Sequence, residues 1–257
     1  MVFSYLIIEC RLRFAPGKSR QNKTKAQAMI DFITLSRDDS KIRTLTNSIA
    51  AWLQGSSHEW TLIRLDGARY DIFSGYNAGA SQGQGEILAF VHDDVQFLGN
   101  RLTLEKPLEL FRAADTGFLG IAGTRVLLEH ACWWASNPQT EGRGMVCHPA
   151  EGEFGIQWDI WPMQQVGLFG RVAVLDGVFL MCQRETFNRL GGFDAQTYRG
   201  FHFYDIDITF RALQLGLVNY AVPIPVFHNH IGMPSHEWQE NQQIFLRKFG
   251  KFLPYSI

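Results

Sequence analysis

Cysteine is scarce: Cys10, Cys132, Cys147 and Cys182 lie far apart in 257 residues, without paired spacing. This excludes a disulfide-framed secreted scaffold and a paired-cysteine zinc site, and leaves each thiol as a small buried apolar group in a reducing compartment. Charge of one sign is lacking too, since 24 basic residues face 25 acidic ones. With a net charge of -1 there is no global field to gather nucleic acid or an anionic membrane, so no nucleic-acid partner is expected. No apolar run is long enough for a transmembrane segment, because the stretch from Val172 to Cys182 is cut by Asp176 and Gly177. The expected location is cytoplasmic, at most peripheral to a membrane. There is no internal repeat, and no G-x-G-x-x-G follows a strand-like run, which removes a dinucleotide-binding dehydrogenase.

What is present is a chain that is 46% hydrophobic, enough for one large α/β core. Residues 1–28 stand apart, with an apolar start followed by Arg11, Arg13, Lys18, Arg20, Lys23 and Lys25. They read as an N-terminal extension, and the functional domain is expected over 29–257. Strand-like runs at Ile30 to Leu35, Glu59 to Leu65 and Ile87 to Val91 alternate with helical periodicity, first at Ile42, Leu45, Ile49 and Trp52. This alternation predicts a mostly parallel central sheet flanked by helices, with ligands bound beyond the carboxyl ends of the strands. Further helices are expected over Leu104 to Ala114, Asp205 to Leu215 and His236 to Lys248. Between Arg125 and Arg171 the pattern turns to glycine, proline and tryptophan without helical period, which predicts loops and hairpins and a candidate lid.

Three clusters carry chemistry. The apolar strand ending at Val91 runs into His92-Asp93-Asp94, and adjacent carboxylates at a strand end persist most readily when a cation neutralises them. The bland alternative is a solvated turn with a capping aspartate. In Tyr204-Asp205-Ile206-Asp207 the two acids fall where a helix begins, so that one could cap while the other accepts a proton from a hydroxyl. His228-Asn229-His230 follows a strand-like run, and either histidine could complete a carboxylate and imidazole shell.

In this order, the segments resemble family-2-type glycosyltransferases of the GT-A fold, in particular a streptomycin-biosynthesis glycosyltransferase-like subgroup. The resemblance spans roughly Ile30 to Lys248. It implies an enzyme that moves a hexose-like sugar from a nucleotide diphosphate sugar to the hydroxyl of a saccharide or other acceptor, with inversion and with Mn²⁺ or Mg²⁺. His92-Asp93-Asp94 is similar to the family's Asp-x-Asp turn, with histidine in the first acidic place and Asp94 in the last, metal-binding place. The resemblance makes His228 or His230 further metal ligands and Asp205 the general base. It assigns Ser36, Arg37 and Asp66 to the donor nucleotide, and Asn77, Asp93 and Asp176, which lies ahead of Gly177, are further donor candidates. The flat faces of Trp133 and Trp134 suit the C–H groups of a saccharide, which makes them, with Asp207, acceptor candidates. Leu190-Gly191-Gly192-Phe193-Asp194 matches a family segment, while Tyr204 stands where an acid is commoner. Two alternatives are a nucleotidyltransferase, which the glycine-free Ser36-Arg37-Asp38-Asp39 turn disfavours, and a non-catalytic sugar-nucleotide or glycan-binding relative of the same fold.

Overall fold

The computed structural model of the protein describes residues 12–14, 28–150, 155–161, 169–230 and 235–257. Its strands are β1 (Leu12–Phe14), β2 (Met29–Leu35), β3 (Glu59–Leu65), β4 (Ile87–Val91), β5 (Val95–Phe97), β6 (Thr116–Gly120), β7 (Ala122–Thr124), β8 (Val126–Leu127), β9 (Gly142–Pro149), β10 (Ile156–Trp161), β11 (Gly170–Val172), β12 (Val174–Leu175), β13 (Phe179–Gln183), β14 (Val218–Ala221), β15 (Val226–His228) and β16 (Tyr255–Ser256). The α-helices are α1 (Asp39–Trp52), α2 (Ile72–Gln82), α3 (Leu102–Leu108), α4 (Arg184–Arg189), α5 (Tyr204–Gln214) and α6 (His236–Phe249).

The main sheet has eight strands in the order β1-β3-β2-β4-β13-β6-β14-β11. β3, β2, β4, β6 and β14 run one way, whereas β1, β13 and β11 run against them. The sheet is therefore mixed, with its parallel half where the strand-helix alternation is clearest. β13 inserts between β4 and β6 by pairing Phe179 with Val91 and Leu180 with Gly120, which brings the Asp176-Gly177 turn beside the end of β4. A second sheet, β12-β7-β9-β15-β5 with β10 paired to β9, covers the same end.

Both faces of β2, β4 and β13 are buried, which is why β4 and most of β13 are continuous apolar runs, while β2 also buries Asp31 and Thr34. Trp52 of α1 stacks on Phe97 at 4.2 Å and meets Phe32 and Phe179 edge-on. α2 extends through its glycines because they serve packing. A Cβ on Gly75 would stand 2.5 Å from Leu35, and one on Gly79 would stand 2.3 Å from Ile33. The glycines that weaken the helical signal thus let α2 lie close on β2, at an intrinsic cost of about 1 kcal/mol each relative to alanine.

The helix expected to reach Ala114 ends at Leu108, with a 3-10 turn over Glu109–Arg112. Pro107 in its last turn has no N–H for the helical ladder. Within the expected N-terminal extension, β1 pairs antiparallel with β3 through Leu12↔Leu62, Arg13↔Thr61 and Phe14↔Trp60. The other residues of 1–27 lie outside the described residues, as do 151–154 and 162–168 of the expected lid. The hairpin reading between Arg125 and Arg171 corresponds to β9 and β10, paired from Ile156↔Pro149 to Trp161↔Gly144.

Candidate active site

The site forms where the two sheets meet. β4 ends at Val91, the chain turns through His92-Asp93-Asp94, and β5 then pairs antiparallel with β15 in a register that sets His228 opposite Val95. The Asn229 N–H donates to the Asp94 carbonyl at 3.1 Å, which locks this crossing. Residues 136 positions apart thereby face one another. The Nε2 atom of His228 lies 3.4 Å from Asp94 Oδ1 and 3.5 Å from His92 Nδ1. Donor atoms of His92, Asp94 and His228 all lie within 4.8 Å of one another, the one such group among the described residues.

This set fits a divalent cation. Bonds of about 2.0–2.2 Å to nitrogen and oxygen place neighbouring ligand atoms roughly 3–3.5 Å apart. Two imidazoles with one carboxylate suit a transition metal better than Mg²⁺, which favours oxygen ligands. Burial pushes the His92 imidazolium down to about 3, aided by the nearby His228, so His92 is a neutral imidazole able to act as a ligand. Asp94 is also partly buried, which opposes its ionisation, but the hydrogen bond and charge of His228 pull it down to about 2.

The same cleft carries a second pair of acids. Phe203 adopts a left-handed backbone (φ 71°) immediately before α5, a conformation that a bulky side chain adopts only when its surroundings enforce it. The turn delivers Tyr204 inward and places Asp205 in the first helical turn, where its Oδ1 accepts the Ile206 N–H at 2.8 Å. Desolvation, followed by the nearby Asp176 charge, pushes the Asp205 carboxyl up to about 7. Desolvation raises Asp176 as well, although it accepts the Val178 N–H at 2.9 Å. Two carboxylates with no cation between them favour holding a proton, which is the state of a group poised to exchange one near neutrality.

At the end of β4, the adjacent acids of the turn diverge. Ser36 donates to Asp93 Oδ2 at 2.7 Å, and Lys41 from the first turn of α1 meets Asp93 Oδ1 at 3.1 Å. Asp93 thus braces the β2 loop while Asp94 faces the histidines. Arg37 donates to the Gly67 carbonyl at 2.6 Å, joining the loops after β2 and β3.

These groups line one cleft of about 1150 Å³. The structure brings together Ser36, Arg37, Asp93, Asp94, Trp133, Trp134, Asp176, Asp205, His228 and His230 on its walls. It does not bring Asp66, Asn77 or Asp207 there. Asp66 accepts the Ala68 N–H at 2.8 Å and pairs with Arg69, closing its own turn. Asn77 donates to the Phe193 carbonyl at 2.8 Å and accepts the Phe193 N–H at 2.9 Å, pinning the Leu190 to Asp194 segment. Asp207 is fully buried against Arg211 and Lys248. Neither aspartate of α5 is its N-cap, which is Phe203. His230 lines the cleft, its ring stacked on that of His228 with centroids 6.5 Å apart, but it falls outside the converging donor set.

Sequence reasoning missed four contributors. His92, treated as a departure from the metal turn, is one of the three converging donors, and nothing but its position in that turn signals it. Lys41 was hidden among the polar positions of an amphipathic helix. His148 and Asp159 face each other across the β9-β10 hairpin at 3.7 Å and line the cleft, a pairing that no local spacing reveals.

A mixed sheet flanked by helices, with a cation-binding turn at the end of a central strand, is the architecture of GT-A glycosyltransferases. Comparison with known proteins agrees. The glycosyltransferase-like family matches residues 31–249, and the chain belongs to that family. The fold is similar to that of the mannosyltransferase PcManGT from Pyrobaculum calidifontis, solved with GDP-Man and Mn²⁺, at 13% identity and a TM-score of 0.53. The match covers 88% of this chain and 64% of that one. It is similar also to GalNAc-T7, solved with UDP, GalNAc and Mn²⁺, at 12% identity and a TM-score of 0.53, over 87% of this chain and 48% of that one. The chain therefore spans less than two thirds of either structure's length. No curated protein matches it. Among the described residues, no helix is long and apolar enough to cross a membrane.

Proposed function

We propose that the chain transfers a sugar from a nucleoside diphosphate donor to an acceptor hydroxyl, with inversion at the anomeric carbon, and that its catalytic domain spans residues 29–257. The observation that carries this reading is the meeting of two groups in one cleft: His92, Asp94 and His228, and the acid pair Asp205 and Asp176. Its volume exceeds the roughly 300–1,000 Å³ of ordinary small-molecule pockets, which gives room for donor and acceptor together.

His92, Asp94 and His228 would hold the cation, Mn²⁺ in preference to Mg²⁺, and it would supply positive charge against the charge growing on the departing diphosphate. Ser36, Arg37 and Asp93 fix the donor at the ends of β2 and β4. Asp205 takes the proton of the acceptor hydroxyl as its oxygen forms the new bond to the anomeric carbon and the bond to the diphosphate oxygen breaks. Such a base contributes about 10² to 10⁴ in rate. Trp133 and Trp134 offer flat apolar faces to the C–H groups of a saccharide acceptor, and Trp134 is 47% exposed at the cleft. Lining this wall closes the reaction to water, which would otherwise hydrolyse the donor.

The test is turnover. Incubation of the protein with a panel of nucleotide sugars, Mn²⁺ and saccharide acceptors is expected to release nucleoside diphosphate and give a product of inverted anomeric configuration by proton NMR. Tight donor binding without turnover for any acceptor would replace this reading with that of a sugar-nucleotide-binding relative.

A further inference from the structure

His92, at the turn after β4, and Tyr204, at the start of α5, are far apart in sequence, and the structure places them in contact. His92 Nε2 and the Tyr204 hydroxyl are 2.7 Å apart, and the same hydroxyl donates to the Gly177 carbonyl at 2.7 Å. The Tyr76 hydroxyl also neighbours Tyr204, but it can donate as well as accept. The Gly177 carbonyl can only accept, so it takes the single hydroxyl proton of Tyr204. The Tyr204 oxygen must then accept from His92, and His92 must carry its proton on Nε2.

That assignment leaves His92 Nδ1 bare, and Nδ1 is the atom 3.5 Å from His228 Nε2 within the donor cluster. The opposite tautomer would aim an N–H at the position a cation needs and would set two acceptors against one hydroxyl proton. Tyr204 is held for this task. It is 2% exposed, and its ring is boxed by Phe73, Tyr76 and Phe193. Gly177 is the residue that admits it, since a Cβ there would lie 2.1 Å from the Tyr204 oxygen.

We propose that Tyr204 is a positioning residue that fixes His92 as the Nε2–H tautomer through the chain His92 to Tyr204 to Gly177, and so presents Nδ1 to a divalent cation. This rests on the reading that His92, Asp94 and His228 hold the metal. Because Gly177 follows Asp176, the same chain of hydrogen bonds ties the metal wall to the acid pair.

The experiment has two arms. In the first, ¹⁵N NMR of the full chain before metal is added, with His92 assigned by the signal lost in His92→Asn, is expected to show a protonated Nε2 and a bare Nδ1. A protonated Nδ1 overturns the proposal. In the second, Mn²⁺ titration in the presence of a nucleoside diphosphate is expected to be about 10- to 100-fold weaker for Tyr204→Phe than for the wild type, the usual cost of losing a partner that orients a ligand. The same change in a His92→Asp background, where no ring needs orienting, is expected to shift Mn²⁺ affinity less than twofold. Equal Mn²⁺ affinity of a folded Tyr204→Phe and the wild type overturns the proposal. Failure of the wild type itself to bind Mn²⁺ removes the metal reading instead, and the tautomer measurement then decides the hydrogen-bond chain alone.

Discussion

Asp205 and Asp207 are two residues apart on α5, yet their surroundings are opposite. Asp207 is fully buried and fully compensated: Arg211 donates to Oδ2 at 2.7 Å, and Lys248 of α6 meets Oδ1 at 2.5 Å. Lys248 also holds Asp194 at 2.8 Å, and Arg211 donates to the carbonyls of Leu190 and Gly192. That aspartate is a staple between α5, α6 and the Leu190 to Asp194 segment. Asp205, one turn edge away, faces another carboxylate, Asp176, and is pushed up to about 7. The protein compensates the charge it uses to hold itself together and withholds compensation from the charge that faces the cleft.

Substitution should separate the two roles cleanly. Asp205→Asn is expected to lower transfer by about 10² to 10⁴ while donor affinity by calorimetry stays within twofold. An equal loss of donor binding would make Asp205 a binding residue. Asp207→Asn is expected to remove about 3–5 kcal/mol of stability, as for a buried ion pair deprived of one partner, in a denaturant titration. A folded Asp207→Asn protein of wild-type stability would dissolve the contrast.

The pH dependence sharpens it further. Because Asp205 must be ionised to take a proton, kcat/KM is expected to rise about tenfold per pH unit on the acid limb and level off above about 7. A profile flat down to pH 5 would show that no raised carboxylate is used. The smallest effect concerns stability. A folded value of about 7 above an unfolded value of 3.8 means that the stabilising contribution of Asp205 is present at low pH and is lost as pH climbs through that window. Metal-free Asp205→Asn should therefore melt a few degrees above the wild type at pH 8, and with it at pH 4. Identical melting at both values would place Asp205 in an unstrained setting.

How far the sequence was legible follows from what fixes each part. β4 was readable to the residue because it is buried on both faces and continuously apolar, and β3 because its apolar and aromatic run is closed by the Asp66-Gly67 turn. α2 was readable only to its glycines, whose packing against Leu35 and Ile33 is a tertiary fact. At the site, Asp94, His228 and Asp205 were visible as polar residues at the ends of apolar runs. Asp66 and Asp207 have the same signature, and Asn77 lies within α2, but all three are spent on backbone hydrogen bonds and ion pairs. Composition at a strand or helix end does not distinguish a group held for chemistry from one consumed by structure. His148 and Asp159 were illegible because only the β9-β10 register pairs them.

The central claim is that His92, Asp94 and His228 grip a cation against which a nucleoside diphosphate binds. Its most direct test is calorimetry of a nucleoside diphosphate titrated into wild-type and Asp94→Asn protein, with and without Mn²⁺. The account predicts binding that requires Mn²⁺ in the wild type and is at least tenfold weaker in Asp94→Asn. Binding of equal strength in both proteins, indifferent to Mn²⁺, would contradict it.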